Sequence, residues 1–253
     1  MPSACLLALD AATETLHLAV WRDGVVQARA LAGGAQASMN LLPAIASLVD
    51  AAGARMADID AIGYGRGPGA FTGLRTACAI AQGLAIGLDR PLVALDTLAL
   101  VAESAHRQAG FERVWTLLDA RMGEAYAACW QRIEGADGVV DWQLARDASD
   151  AVIAAPMLLR PDALRALVQA HPAALAGPGW TVHEAAASGL DLPVCPQALP
   201  DGEALAALAW RAHAARRWID PALALPLYVR DKVAQTTAER AAERVDQPSA
   251  VSR

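Results

Sequence analysis

The stretch Gly63-Tyr64-Gly65-Arg66-Gly67-Pro68-Gly69-Ala70-Phe71-Thr72-Gly73-Leu74-Arg75 decides how this chain folds. It follows a short apolar run at 59–62 and opens a predicted helix over 72–88. Glycine tolerates positive φ, so the alternating glycines let the backbone turn sharply or approach another group closely. Thr72 is the predicted N-cap, because its hydroxyl can accept from an amide of the first turn. The residue types favour a tight strand–helix turn.

A second interpretation of the same turn is an anion site, because free N–H groups and the helix dipole both favour a phosphate there. The turn is not a Walker loop, since no lysine follows it and Lys232 is the only lysine in the chain. The glycine spacing also fails the dinucleotide-binding fingerprint. An anion site therefore ranks second, after a purely structural turn.

The composition is that of a globular, mildly acidic protein. Its 253 residues suffice for one large domain or two modest ones, and a hydrophobic content of 55% excludes global disorder. The net charge of −6 argues against a nucleic-acid binder that works through bulk electrostatics. Any RNA contact would need a local basic patch or a partner subunit.

Cysteine usage and hydropathy predict a cytoplasmic protein. There is no CxxC pair and no recognisable secretory signal, which is typical of reduced thiols in the cytosol. The apolar runs are short or broken by polar residues, so no membrane span is predicted. The four cysteines are widely separated, at Cys5, Cys78, Cys129 and Cys195.

Hydrophobic periodicity predicts the element order βββαβαβα for the first hundred residues. Alternation over 16–21 indicates a half-buried strand, and Asp23-Gly24 is a hairpin signal before the next strand. The helix over 38–52 has apolar residues at helical spacing and ends at Gly53. The prediction places strands at 5–9, 16–21, 25–30, 61–64 and 92–95, and helices at 38–52, 72–88 and 97–108.

The second half repeats features of the first at a nearly constant offset. Leu9-Asp10-Ala11 is matched by Leu118-Asp119-Ala120, 109 residues later, and Gly67-Pro68-Gly69 by Gly177-Pro178-Gly179, 110 residues later. Two matches in the same order predict a duplicated unit. Each half would open with strand–Asp–strand and later make a Gly-Pro-Gly turn.

The second half is less regular than the first. Helices are predicted at 161–170 and 203–218, a turn at 135–138, and an insertion of uncertain structure at 145–161. The predicted domains are residues 1–103 and 104–230, and the last helix is a candidate for packing back on the first domain. A polar tail, 231–253, is expected to be flexible.

A duplicated βββαβαβα unit with an Asp at the end of its first strand resembles the actin-like ATPase superfamily. Within it, the residues are most similar to the TsaB (YeaZ) family, from residue 6 to about 230. The implied fold class is α/β, with duplicated actin-like (ribonuclease H-like) domains, each a mixed five-stranded sheet with helices. The resemblance rests on Leu7-Ala8-Leu9-Asp10-Ala11-Ala12-Thr13-Glu14, Gly65-Arg66-Gly67-Pro68-Gly69-Ala70-Phe71-Thr72-Gly73-Leu74-Arg75, Ala81-Gln82-Gly83-Leu84-Ala85, Leu118-Asp119-Ala120-Arg121-Met122-Gly123-Glu124, Gly177-Pro178-Gly179-Trp180 and Pro226-Leu227-Tyr228-Val229-Arg230.

The resemblance implies a non-catalytic subunit for making threonylcarbamoyladenosine, the modified base beside the anticodon of tRNAs that read codons starting with A. In the family, TsaB pairs with the catalytic paralogue TsaD, the ATPase TsaE joins them, and tRNA is met only through the complex. Family members also form homodimers through two helices, which correspond here to 38–52 and 72–88. The implied partner interface comprises Ser38, Leu41, Leu42, Ile45, Leu74, Arg75, Ala79 and Gly83.

The two helices are poor in polar residues, which agrees with an interface. Helix 72–88 has only Arg75 and Gln82 for its solvent side. Ala79, Gly83 and Gly87 recur every four residues, a line that lets another helix come close. The alternative is that this line packs on the chain's own sheet and both helices are buried in one monomer. Arg75, in the first helical turn, indicates either an anionic partner or a plain exposed side chain.

The histidines do not provide the metal centre of the catalytic paralogue. That centre needs an HxxxH pair on a helix, so that both imidazoles face one metal ion. No histidine here lies within four residues of another, so no metal site and no catalytic residue are predicted, and a metallopeptidase activity is disfavoured. The histidines are His17, His106, His171, His183 and His213.

Asp10 and Asp119 occupy the positions where an actin-like ATPase places its metal- and water-orienting carboxylates. The hairpins that follow carry Glu14 and Glu124, and acidic residues would repel a phosphate. The favoured interpretation is that both aspartates hold their hairpins by backbone hydrogen bonds, and residual nucleotide binding is the alternative. The candidate vestigial cleft comprises Asp10, Thr13, Gly67, Gly69, Asp119 and Arg121, where Arg66 and Arg121 could share an anion.

Two functions therefore compete. The first is a partner subunit that requires no cofactor, with ATP or ADP, if bound, at the interface with TsaD. The second is an actin-like ATPase or phosphotransferase that acts on its own, which requires tight Mg-ATP binding by the isolated chain.

Overall fold

Two mixed sheets form the framework of the molecule. The computed structural model describes residues 4–33, 37–135, 138–180, 184 and 189–230, with the backbone alone at 37–40. The first sheet has the order β3-β2-β1-β4-β5, in which the first three strands form an antiparallel meander and β4 and β5 run parallel to β1. Its strands are β1 (Cys5–Asp10), β2 (Thr15–Arg22), β3 (Val25–Ala32), β4 (Ala61–Gly67) and β5 (Leu92–Asp96).

The second sheet repeats this connectivity, with the order β11-β10-β6-β7-β8. β6 and β7 are antiparallel, and β10 and β11 continue the sheet in parallel, as β4 and β5 do in the first. The strands are β6 (Arg113–Asp119), β7 (Ala125–Glu134), β8 (Val140–Leu144), β9 (Met157–Leu159), β10 (Ala174–Ala176) and β11 (Val194–Cys195). The predicted α/β fold with a duplicated unit is confirmed.

The second sheet contains six strands, whereas five were predicted. β8 pairs with one end of β7 and β9 with the other, so two short strands share the edge that β3 occupies alone in the first sheet. The predicted insertion at 145–161 follows β8, contains β9 and reaches Pro161, the first residue of the next helix. Only a short, irregular sequence pattern marks β9, which is why the sequence did not reveal it.

The helices and sheets alternate in five layers. α1 (Ala37–Ala51) and α2 (Phe71–Leu88) cover the outer face of the first sheet, and α4 (Pro161–Ala170) covers the outer face of the second. α3 (Thr97–Ala109) and α5 (Gly202–Ala214) fill the space between the two sheets, where the largest hydrophobic core lies. The predicted domain boundary at residues 103 and 104 falls inside α3.

Two predicted helix ends differ from the structure. α2 begins at Phe71 with Ala70 as its N-cap, so Thr72 lies in the first turn and is not the cap. The last helix ends at Ala214 and not at residue 218, and Arg216 follows in the left-handed region with φ 52°. A left-handed residue stops a helix, since its backbone cannot continue the i→i−4 ladder.

α5 is the last α-helix in the described residues, yet it packs on the first sheet. Gly202 at its start lies so close to Ala28 of β3 that a Cβ there would collide with it. Further along, Trp210 stacks on Trp21 of β2, with ring centroids 4.2 Å apart and an interplanar angle of 13°. The stacked rings bury a large apolar area and fix α5 against the first sheet.

A buried ion pair joins the two middle helices. Glu103 of α3 accepts from Arg211 of α5 at 2.6 and 2.9 Å, and from the indole N–H of Trp142 of β8 at 2.8 Å. Burial alone would raise the pKa of Glu103, but the hydrogen bonds and charge of Arg211 outweigh it and lower the pKa below its usual value. The pair therefore ties α3, α5 and the second sheet together.

Replacing Arg211 with Met is expected to lower the free energy of unfolding by about 3–5 kcal/mol, because it leaves the Glu103 carboxylate buried without its counter-ion. Urea denaturation followed by circular dichroism measures this change. The matched control is Arg146→Met, which breaks the exposed Arg146–Asp150 pair and should change stability by less than about 0.5 kcal/mol. Equal effects of the two variants would contradict the importance of the buried pair.

Candidate functional site

The glycine turn closes around the hairpin that follows β1. A Cβ at Gly65 would collide with the Asp10 carboxylate, and a Cβ at Gly69 with the carbonyl oxygen of Ala12. The amide of Ala70 donates to the same oxygen at 2.7 Å. The turn thus packs its backbone closely against the Asp10 side chain and against Ala12, which only glycine permits at these positions. This is the tight strand–helix turn of the first interpretation.

Asp10 is fully buried beneath this turn. Its Oδ1 accepts from the amide of Ala12 at 2.9 Å, and its Oδ2 accepts from the hydroxyl of Thr97, the first residue of α3, at 2.9 Å. Burial raises the pKa of Asp10 from 3.8 to about 6, against the opposing effect of the two hydrogen bonds. The carboxylate holds the hairpin and the start of α3 in place.

Asp119 stands at the equivalent position of the second half but is partly exposed. Its Oδ1 accepts from the amide of Arg121 at 2.7 Å, as Asp10 accepts from the amide two residues further on. Its side chain is 32% exposed. Both aspartates therefore hold their hairpins as the favoured interpretation predicts, and Asp119 alone of the two also reaches the cleft.

A cleft of about 510 Å³ opens between the two hairpins, the glycine turn and residues 227–230. Most of its wall is apolar and includes the rings of Phe71, Tyr126 and Tyr228. Of the predicted cleft residues, Thr13, Gly69, Asp119 and Arg121 line it, whereas Asp10 and Gly67 do not. The structure therefore brings together four of the six residues around a largely apolar space.

The two arginines that could share an anion are engaged separately. Arg66 pairs with Asp96 at 2.8 Å and does not line the cleft. Arg121 reaches across the cleft to Glu14 at 2.7 Å and pairs with Asp119 at 3.2 Å. The structure therefore does not place Arg66 and Arg121 together at the cleft, and each guanidinium group pairs with a carboxylate of the chain.

The outward side of α1 and α2 is mostly apolar. Leu42 and Ile86 are 52% and 67% exposed, and Arg75, Ala79 and Gly83 are exposed as well. Within the described residues, no atom lies within 4 Å of the place where a Cβ of Gly83 would stand. The small-residue line thus faces outward and does not pack on the chain's own sheet.

The prediction that Leu41, Ile45 and Leu74 contact the partner is wrong, because all three side chains are buried within this chain. Leu41, Ile45 and Leu74 are at most 1% exposed. Leu41 and Ile45 pack in the core between the helices and the first sheet, and Leu74 is buried beside Gly67. Helical spacing indicates which residues share a face but not which face is covered by the sheet. Of Ser38 only the backbone is described, so its side chain lies outside the described residues.

Two polar residues of α2 that the sequence assigned to the solvent side contact the C-terminal part of this chain. The Gln82 amide donates to the carbonyl of Pro221 at 2.8 Å, and Arg75 Nε donates to the hydroxyl of Tyr228 at 2.9 Å. The Arg75 guanidinium also lies 4.0 Å from the ring centroid of Phe71, which is cation–π geometry.

In the described part of the chain, acidic, histidine and cysteine side chains form no metal-binding cluster, and one helix has the length and hydropathy of a membrane span. No group of three or more His, Cys, Asp or Glu side chains there is placed to hold a metal ion. α2 has the length and mean hydropathy, 1.2 over 18 residues, of a membrane span. In this fold its inner side packs on β1 and β4, as a helix of the outer layer does.

Several known proteins are similar to this chain in sequence and in architecture. The family described as "TsaD: tRNA N6-adenosine threonylcarbamoyltransferase" matches residues 33–245. The TsaB proteins of Escherichia coli K12 and Haemophilus influenzae Rd are 43% and 37% identical over 129 and 127 residues. These matches cover 51% and 50% of this chain and 56% and 53% of the relatives, so the chain spans about half the length of the curated relatives it matches.

Solved structures extend the similarity to nearly the whole chain. YeaZ from Pseudomonas aeruginosa has a TM-score of 0.76 at 33% identity, over 89% of this chain and 99% of its own. A second Pseudomonas aeruginosa structure, described as an uncharacterized protein with similarity to peptidase YEAZ, has a TM-score of 0.77 at 34% identity, over 90% and 100%. The chain belongs to the TsaB (YeaZ) family.

The family resemblance drawn from the sequence motifs is thereby confirmed. The sequence did not predict that residues 221–230 of this TsaB-family chain pack along α2 and form part of the cleft wall. Tyr228 and Arg230 line the cleft, and Arg230 pairs with Glu124 at 2.7 Å. The motif Pro226-Leu227-Tyr228-Val229-Arg230 helped to identify the TsaB family, but it carried no signal of where its side chains lie.

Asp10→Asn in this TsaB-family chain is expected to remove the pH dependence of the free energy of unfolding that Asp10 causes between about pH 4 and pH 6. A folded-state pKa of about 6, against 3.8 for the free group, means that ionisation in the fold costs about 1.4 kcal/mol per unit of difference. The stability that Asp10 contributes in its protonated form is fully present below about pH 3.8 and is lost as the pH rises through about 6. The stability of the wild type relative to the variant should therefore fall between about pH 4 and pH 6.

Urea denaturation at a series of pH values measures this difference. Asp119→Asn is the matched control, because the same hairpin bond is made there by a partly exposed side chain, and it should show a smaller effect. An equally steep fall in stability between about pH 4 and pH 6 in Asp10→Asn would show instead that another group causes the pH dependence.

Proposed function

We propose that this chain is a non-catalytic partner subunit of the complex that transfers threonylcarbamoyl to the adenosine beside the anticodon of tRNAs that read codons starting with A. In this complex it scaffolds the catalytic paralogue TsaD. Support comes from its relatives, since the Escherichia coli and Haemophilus influenzae proteins are named tRNA threonylcarbamoyladenosine biosynthesis protein TsaB. The matching family model carries the name of the transferase itself.

The observation that carries the non-catalytic role is the position of Asp10. A carboxylate that orients a metal ion or a water molecule in phosphoryl transfer must face the nucleotide. Asp10 is instead fully buried, bound to Ala12 and Thr97, and absent from the cleft wall. Asp119, its counterpart, pairs with Arg121. This arrangement favours a scaffold over an enzyme that hydrolyses or transfers phosphate.

The outward face of α1 and α2 supports a protein as the partner. Leu42 and Ile86 offer exposed aliphatic area, and the open line at Ala79 and Gly83 allows a helix of the partner to approach at backbone distance. We assign this face to TsaD in the complex and to a second copy in the isolated chain. A homologous partner would bring the same pair of helices, and two such pairs form a four-helix seam.

The proposal extends to the other components. The ATPase TsaE joins the pair, and tRNA is met through the assembled complex, in keeping with the net charge of −6 on this chain. The chain requires no cofactor of its own, and an ATP or ADP molecule held by the complex would lie at the junction with TsaD. The setting of this assembly is the cytoplasm.

Ala79→Glu is expected to weaken binding to TsaD by about 100-fold or more, because it would bury an unpaired carboxylate between two helices. Ala79 is exposed in the isolated chain, so the fold should be unchanged. Isothermal titration calorimetry and co-elution measure the binding. The control is Ala166→Glu, an exposed alanine of α4 in the second half. Leu41→Glu is not an equivalent test, since Leu41 is buried and a charge there would disrupt the core.

Wild-type binding by Ala79→Glu would refute the assignment of this face.

The tRNA role is tested by reconstitution of TsaD, TsaE, the threonylcarbamoyl-adenylate donor and tRNA, with and without this chain. We expect modification to depend on the chain, and modification at the same rate without it would contradict the proposal. Tight Mg-ATP binding by the isolated chain, lost in Asp10→Asn, would favour the ATPase alternative.

A further inference from the structure

Residues 221–230, here called the strap, run along α2 and β4 after leaving the middle layer. The Gln82 amide donates to the carbonyls of Pro221 and Ala224 at 2.8 and 3.2 Å. The hydroxyl of Tyr64, in β4, donates to the carbonyl of Leu225 at 3.2 Å. These bonds hold the first part of the strap against the first half of the molecule.

The end of the strap crosses the cleft and reaches the second half. The Leu227 amide donates to the carbonyl of Arg66 at 2.6 Å. Arg230 donates to the carbonyl of Ala120 at 3.0 Å and to the carboxylate of Glu124 at 2.7 Å, both next to the second hairpin. Residues 227–230 therefore form one wall of the cleft and connect its two sides.

Tyr228 links this wall to the outward face of α2. Its ring lies 5.2 Å from that of Phe71, and its hydroxyl accepts from Arg75. Arg75 precedes Ala79 and Gly83 at intervals of four residues, so it continues the exposed small-residue line toward the N-terminus of α2. A helix that docks on this line comes within reach of the side chain that holds Tyr228.

The strap also carries exposed apolar side chains beside α2. Leu223 and Leu225 are 74% and 73% exposed, as exposed as Ile86 of α2 at 67%. Ala224, between the two leucines, contacts α2 through Gln82 and through the Cys78 thiol at 3.6 Å. Single exposed leucines are ordinary, but these adjoin the face already assigned to a partner and extend its apolar area.

We propose that the partner on α2 also covers Leu223 and Leu225, and that docking thereby fixes the strap and sets the wall of the cleft. This inference rests on the proposed function and deepens it, because the occupant is the same TsaD subunit and the added element is the strap. Tyr228 is the positioning residue. A partner that covers the Arg75–Tyr228 hydrogen bond excludes water from it, and a hydrogen bond is stronger where the local dielectric is low.

Coupling of this kind is reciprocal. If docking stabilises the strap, any change that loosens the strap weakens docking by the same factor. The position of the cleft wall and the affinity of the α2 face for its partner would then depend on each other. The strap is held by hydrogen bonds at both ends. It is therefore the element through which a partner on α2 and the wall of the cleft would affect each other.

The contact is tested with the double variant Leu223→Ser/Leu225→Ser. Both side chains are exposed, so the fold should be retained, and circular dichroism verifies it. We expect affinity for the TsaD of the same organism to fall about tenfold, because the variant removes two apolar anchors from the interface. Val25→Ser is the matched control: Val25 is 62% exposed on the edge strand β3, and its loss should leave the affinity unchanged. Unchanged affinity of the double variant would overturn the contact.

The coupling is tested by hydrogen exchange of the Leu227 and Tyr228 amides, with and without TsaD. In the wild type, exchange should slow on binding. In Tyr228→Phe, which keeps the ring and removes the hydroxyl, affinity should fall about fivefold and the slowing should largely disappear. Equal slowing in both proteins, or binding without any change in the strap, would overturn the coupling alone. Failure of the wild type to bind TsaD would overturn the proposed function as well.

Discussion

Backbone contact between the glycine turn and the hairpin after β1 is the constraint on which the rest of the structure depends. The contact places the N-terminus of α2 on Ala12 and buries Asp10, whose second oxygen then fixes the start of α3 through Thr97. One close approach thus sets the position of two helices. It also forms one side of the cleft, so packing of the glycine turn against the hairpin shapes that side.

The two halves are connected by interactions of unequal strength. Across the mouth of the cleft, Arg121 and Glu14 pair while both side chains are more than two-thirds exposed. A pair of this kind contributes little, since water and salt screen it. In the middle layer, Glu103 and Arg211 pair in a nearly dry environment and within the largest core. The middle layer therefore contributes more to holding the halves together than the exposed Arg121–Glu14 pair does.

Much of the fold could be predicted from the sequence because its signals are local or repeated. Alternation and helical spacing indicated the elements of the first half, and the offset between Asp10 and Asp119 indicated the duplication. β9 was missed, since three residues give too short a pattern for any periodicity. The helix end at Ala214 was missed because a left-handed Arg216 has no distinctive sequence signal.

The candidate site was less predictable because it depends on contacts between distant parts of the chain. The hairpin roles of Asp10 and Asp119 were predicted correctly, since each bonds an amide only two residues away. The burial of Leu41, Ile45 and Leu74 and the pairing of Arg66 with Asp96 depend on tertiary packing. The positions of Tyr228 and Gln82 depend on a segment more than a hundred residues away in sequence. No local pattern encodes such contacts.

The return of α5 to the first sheet has a consequence for biosynthesis. The part of the inner face of that sheet that carries Trp21 packs against Trp210 of α5, and so stays uncovered until the ribosome has released residues 202–214. Domains synthesised early usually complete their folding first. Here the part of the first sheet around Trp21 must wait for α5, so until then the nascent protein exposes an apolar surface to chaperones and to neighbouring chains.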